Sequence, residues 1–243
     1  MIVEVCAYSL SSCITAQKAR AGRIELCGGL SEGGTTPSAG LIQLAKQSLT
    51  IPVIVMIRPR GGDFLYSSSE LAVMRADISM AKMLGADGVV LGILNADGTV
   101  DEAQTRQLVD LANPMPVTFH RAFDMTSDPF DALESIINTG AVRILTSGQQ
   151  PTAEKGAALL RKLAGLAGNR IEIMAGAGVY EGNTNLLMQT GVKALHLSGS
   201  KKEDSPMTFR QPAVSMASTS VGEYEHVEAD ENKIRAVIKQ LAS

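Results

Sequence analysis

Residues 3–27 read VEVCAYSLSSCITAQKARAGRIELC. A short β-branched run gives way to a helix-compatible stretch, Gly22 closes that stretch, and a second apolar run starts at Arg23. Strand, helix, turn, strand is the order of a parallel βαβ unit. Within each run the residues alternate. Val3 and Val5 share one face while Glu4 and Cys6 share the other, and Ile24 and Leu26 oppose Glu25 and Cys27 in the same way. One face of each strand therefore suits an apolar neighbour, and the other carries a carboxylate and a thiol.

The unit recurs along the chain at a spacing of about 20 to 35 residues. Strand-like runs follow at 53–58, 88–91, 117–120, 143–147, 171–174 and 194–197, with helical stretches at 38–48, 70–84, 101–112, 129–139 and 152–167. Gly22, Gly85, Gly140 and Gly191 stand where helices should end in a left-handed residue. Eight βα units predict a closed (β/α)8 TIM barrel, and 243 residues suit one such domain of about 250. An open doubly wound sheet is the rival, but it rarely needs eight units, and the first βα turn lacks a GxGxxG fingerprint. The irregular stretch 201–229, before a last helix, is expected to be a lid, a binding loop or an interface element. Met207, Phe209, Met216 and Tyr224 within it are enough to cover a neighbour.

Composition narrows the function. With 22 basic and 25 acidic residues and no basic run, nucleic-acid binding and anionic-membrane binding gain no support. No stretch approaches the roughly 20 apolar residues of a membrane span, and the first ten residues do not read as a signal peptide. The three cysteines, Cys6, Cys13 and Cys27, form an odd set, as expected of reduced thiols in a cytoplasmic protein.

Helices pack on the outer face of a barrel, so the apolar parity must point outward. Glu4, Cys6, Glu25, Cys27, Thr118, His120, His196 and Ser198 are thereby expected inside, crowded toward the C-terminal ends of the strands. Two inward carboxylates need partners, and Arg58, Arg60, Arg121 and the histidines are the candidates. Such a cluster reads either as a functional site or as an ion-pair network that fixes the barrel.

Several unusual strings then line up: Glu25-Leu-Cys27-Gly-Gly, Glu32-Gly-Gly-Thr-Thr-Pro-Ser38, Ile57-Arg-Pro-Arg-Gly-Gly-Asp-Phe64, Thr118-Phe-His-Arg-Ala-Phe-Asp124, Leu145-Thr-Ser-Gly148 and Met174-Ala-Gly-Ala-Gly178. Together they resemble the CutC family, whose members are often named copper homeostasis proteins. The resemblance runs from the first strand to Ser205-Pro-Met207. It implies a TIM barrel, a cytoplasmic homo-oligomer and a role in copper handling, with Cu(I) held by Cys6 and Cys27. Cu(I) is soft and accepts two thiolates, so two cysteines on neighbouring strands are sensible ligands, although small buried cysteines are also common core residues.

A barrel enzyme of the isomerase or lyase kind, acting on a phosphorylated or carboxylated small molecule, is the alternative. In that reading Glu25 or Glu4 is the general base and His120 an acid or base. Arg58, Arg60 and Arg121 hold the anion, with Asp63 and Asp124 orienting the arginines. His196 belongs to the same mouth. The loops after strands seven and eight, with Gly176, Gly178, Ser198 and Gly199, occupy the customary phosphate positions of this fold.

Overall fold

The computed structural model describes residues 1–214 and 222–241. Strands β1 (Ile2–Ala7), β2 (Arg23–Leu26), β3 (Val53–Met56), β4 (Gly88–Leu91), β5 (Val117–Phe119), β6 (Arg143–Thr146), β7 (Glu172–Ala175) and β8 (Ala194–Leu197) run parallel in chain order. β8 pairs back onto β1 and closes the barrel. Around it lie α1 (Leu10–Lys18), α2 (Ala39–Ser48), α3 (Ser68–Met83), α4 (Glu102–Ala112), α5 (Pro129–Thr139), α6 (Ala157–Ala167), α7 (Glu181–Met188) and α8 (Glu231–Gln240). This is the TIM barrel that the repeating βα pattern predicts.

Helix starts are written in side chains. Ser38, Asp101, Asp128 and Asp230 accept from backbone N–H groups of the first turn, and Ser67 with Glu70 forms a capping box. The expected start of α6 at residue 152 is corrected. The chain turns through 151–156 because the Gly156 backbone packs directly on Ser147, leaving no room for a Cβ. The glycine exits need one correction as well. Gly85, Gly140 and Gly191 are left-handed, but after α1 that conformation falls on Arg20, at φ 71°. Gly22 is required for a different reason: a Cβ there would stand 2.9 Å from the Ile2 side chain.

Parity sorts the layers as expected. Val3, Val5, Ile24, Leu26, Val117, Phe119, Leu195 and Leu197 join the core shared by the outer face and the helices. The interior holds two smaller apolar clusters, Cys27–Ile54–Met56–Val90 and Leu145–Met174–Ala194. Charged and polar side chains occupy much of the remaining interior.

The stretch expected to be irregular contains a ribbon instead. β9 (Ser200–Asp204) pairs antiparallel with β10 (Glu225–Ala229). The ribbon is fastened to α1, because Ser9 and Ser12 both donate to Glu228 Oε2 and the Ala229 N–H donates to Ser12 Oγ at 2.9 Å. Met207 and Phe209 beyond β9 are exposed, and Arg210 lies over the Tyr224 ring. Met216 falls outside the described residues. No helix among the described residues is long and apolar enough to cross a membrane.

Candidate functional site

The register of β1 brings the cluster together. Its Glu4 lies beside Arg23 of β2 on one side and beside His196 of β8 on the other, and Cys6 lies beside Glu25. Alternation turns all of these side chains inward. Cys6 Sγ then stands 3.7 Å from Cys27 Sγ, and the Cys27 thiol points 3.5 Å from Glu25 Oε2. His196 bridges two carboxylates, with Nδ1 at 2.8 Å from Glu4 Oε1 and Nε2 at 3.7 Å from Glu25 Oε2. Ligand atoms of Cys6, Glu25 and His196 all lie within 4.8 Å of one another.

Below this group lies a layer of ion pairs. Arg23 donates to Glu4, and its other arm reaches Glu172 at 3.1 Å. Arg143 joins the same Glu172 at 2.7 Å and donates to Thr118 Oγ1 at 2.8 Å. The buried Glu4 is thus paired twice.

These contacts set the protonation pattern. Burial pushes the Glu4 carboxyl up, but the hydrogen bonds and charges of His196 and Arg23 outweigh it and bring the pKa down to about 2. Burial would likewise depress His196, yet the charge of Glu25 and the bonds to Cys6 and Glu4 hold it well above the usual imidazole range. The hydrogen bond from Cys27 is the largest influence on Cys6 and, with His196 beside it, lowers Cys6 well below an ordinary thiol. That same bond, together with burial, pushes Cys27 up. Of the two thiols, Cys6 is thus the one disposed to ionise. Burial pushes Glu25 well above the carboxylate range.

A cavity of about 330 Å3 opens over the cluster at the C-terminal ends of the strands. Cys6, Glu25, His196, Arg58, Phe64 and His120 are among the residues that line it. His120 leaves the end of β5 with its Nδ1 accepting from the Ala122 N–H at 3.2 Å. Its ring lies against Phe64, with centroids 4.9 Å apart. Its Nε2 is buried and has no partner among the described residues. Burial, then the charge of Arg58, takes its pKa down to about 3.

The structure brings together Cys6, Glu25, Cys27, His120 and His196, with Arg58, Arg121 and Asp124 at the rim. Other expectations are corrected. Glu4 does not line the cavity, and its two oxygens face Arg23 and His196. Arg58 pairs with neither interior glutamate, because its guanidinium is taken by the carbonyls of Glu32, Gly34 and Gly62. Arg60 lies outside the cavity, held by Glu70 and Asp63. Arg121 pairs with Asp124, which also accepts from Thr146, Ser147 and Gln149 and so anchors the rim.

Gly176 packs against Leu145 and His196. Ser198, exposed at the rim, and Gly199 line a separate cavity of about 530 Å3 between α7 and α8. There Asp230 already caps α8, Asn183 accepts from the Tyr180 N–H, and Glu181 sits in the first turn of α7. Gly178 is left-handed and packs on Thr152. The structure thus separates these two loops, Gly176 packing beside the mouth cluster and Ser198 and Gly199 lining the second cavity.

Sequence reasoning missed Arg23, Arg143 and Glu172, although the alternation that exposes Glu25, Leu145 and Met174 applies equally to them. Gly92 was missed too. A Cβ at that position would lie 2.6 Å from His120 Nδ1, a constraint that no local pattern reveals.

The fold and this mouth define a class: a TIM barrel with a thiol, carboxylate and imidazole cluster at its C-terminal end. Within that class the chain belongs to the CutC family, whose model matches residues 1–201. It is 48% identical over 241 residues to a CutC family protein of Chromobacterium violaceum, covering 99% of this chain and 98% of that one. It is also 48% identical over 238 residues to the human copper homeostasis protein cutC homolog, covering 97% and 87% respectively. The crystal structure of CutC from Streptococcus agalactiae superposes with a TM-score of 0.78 at 40% identity, over 82% of this chain and 99% of that one.

Proposed function

We propose that this chain is a cytoplasmic, homo-oligomeric copper-handling protein that binds Cu(I) as cargo through Cys6 and Cys27. The 3.7 Å separation of the two unbridged sulfurs carries the proposal. At metal–sulfur bonds of about 2.3 Å, a linear two-sulfur site needs sulfurs about 4.6 Å apart, and a four-coordinate site needs about 3.8 Å. The observed spacing matches the four-coordinate value and so asks for two further ligands, of which His196 beside Cys6 supplies one, with Glu25 adjoining. Thiolates favour soft and borderline ions, Cu(I) among them. The naming of the human relative for copper homeostasis supports the same reading.

Anaerobic titration of the reduced protein with Cu(I), against a competing chelator, tests it. About one copper per chain is expected, and Cys6→Ser with Cys27→Ser should abolish it. Binding indifferent to the two cysteines would overturn the proposal.

A further inference from the structure

The mouth cavity contains a hydrogen-bond donor that the copper reading does not use. His120 Nδ1 accepts from a backbone N–H, so the proton of the neutral ring is on Nε2. That Nε2–H is buried, and among the described residues no acceptor meets it. A buried donor without an acceptor has given up its hydration for nothing in return, so the site is built for something that accepts.

Charge points the same way. Arg58 is 6% exposed, and its guanidinium is met by three neutral carbonyls and by the Phe64 ring 5.0 Å away. Among the described residues no carboxylate pairs with it. Met56, Phe64, Met125 and Leu145 give the cavity an apolar side. Inorganic phosphate has nothing to offer that side, whereas an organic acid has its carbon skeleton.

We infer that this cavity binds a small organic carboxylate, one oxygen of which accepts from His120 Nε2–H beside Arg58, with its carbon chain against Phe64 and Met56. At about 30 Å3 per water-sized group, 330 Å3 holds roughly ten such groups, so the ligand is a short-chain acid. This site does not depend on copper and does not require the cysteines.

The test is a long-range ¹⁵N–¹H spectrum of the histidine rings, of which the chain has 3, with the His120 signals assigned by their loss in His120→Gln. Acetate, pyruvate and succinate are titrated separately to about 50 mM, with acetamide and inorganic phosphate as controls. A saturable shift of the His120 Nε2 signal is expected with at least one acid and with neither control. It should persist in the Cys6→Ser, Cys27→Ser variant that loses copper. In His120→Gln the acid-induced shifts of the Met56 and Met125 methyl groups should weaken at least tenfold in apparent affinity. No saturable shift with any of the three acids, an equal response to either control, or methyl shifts unchanged in His120→Gln would overturn the inference. The first measurement is on the unaltered protein, so it stands even if a variant fails to fold.

Discussion

His196 Nδ1 lies 2.8 Å from Glu4 Oε1, and this contact links the ion pairs inside the barrel to the thiols at its mouth. Glu4 fixes the ring, the ring turns Nε2 toward Cys6 and Glu25, and Arg23 holds Glu4 from the other side.

The first consequence is acid sensitivity. The Glu4 pKa is depressed, so the stability it contributes is present above the ordinary carboxylate value and is lost as pH falls from 4.5 toward about 2. At about 1.4 kcal/mol per pH unit the loss is roughly 3 kcal/mol. Urea midpoints between pH 5 and pH 2.5 should fall more steeply for the wild type than for Glu4→Gln. That variant should in turn be less stable at pH 7 by about 3 kcal/mol, since it leaves buried Arg23 with Glu172 alone as its carboxylate partner. Parallel pH profiles would contradict the assignment.

The second concerns thiol reactivity. Cys6 is held low by Cys27 and His196, whereas burial pushes Cys13 up to about 12. Iodoacetamide at pH 6.5 should label Cys6 before Cys13 and Cys27, as read by peptide mass spectrometry. His196→Gln should move the half-maximal labelling pH of Cys6 upward, toward the usual thiol value of about 8.5. Equal labelling of the three cysteines would refute the protonation pattern.

Copper loading should release protons. Cys27 and His196 are both raised and must lose their protons to become ligands. Apparent Cu(I) affinity should therefore climb with pH, by up to roughly tenfold per pH unit for each proton displaced. Chelator competition at pH 6.5 and 7.5 reads it. A flat profile would mean that neither group coordinates.

Two glycines should respond oppositely to the same substitution. Gly92→Ala places a methyl group 2.6 Å from His120 Nδ1 and should cost about 1–3 kcal/mol while displacing the ring. Gly165, inside α6, has open space around its missing Cβ, so Gly165→Ala should stabilise by about 0.5–1 kcal/mol. Thermal melts of both variants provide the comparison.

The barrel was legible because period and polarity agree. Each strand begins a few residues after a helix ends, and the Val3/Val5 parity sorts correctly into the outer core at every strand tested. The thiol and glutamate wall followed from the same rule. What stayed hidden depends on distance across the barrel rather than along the chain. Glu172 meets Arg23 from 149 positions away, and Arg58 spends its guanidinium on carbonyls, which have no signature in sequence. The β9–β10 ribbon was missed because β9 reads SKKED, exposed and charged, without the alternation that marks a half-buried strand.

The charged layer of Arg23, Glu4, Glu172 and Arg143 has a consequence for traffic. It fills the barrel beneath the thiols, and together with Met174 it leaves the interior a packed solid rather than a conduit. Whatever reaches Cys6 cannot pass through this layer to the N-terminal end of the strands, so an occupant is handed on to a recipient that comes to the C-terminal face. Delivery and capture then compete for one threshold, and a second guest beside His120 would slow both by standing in it.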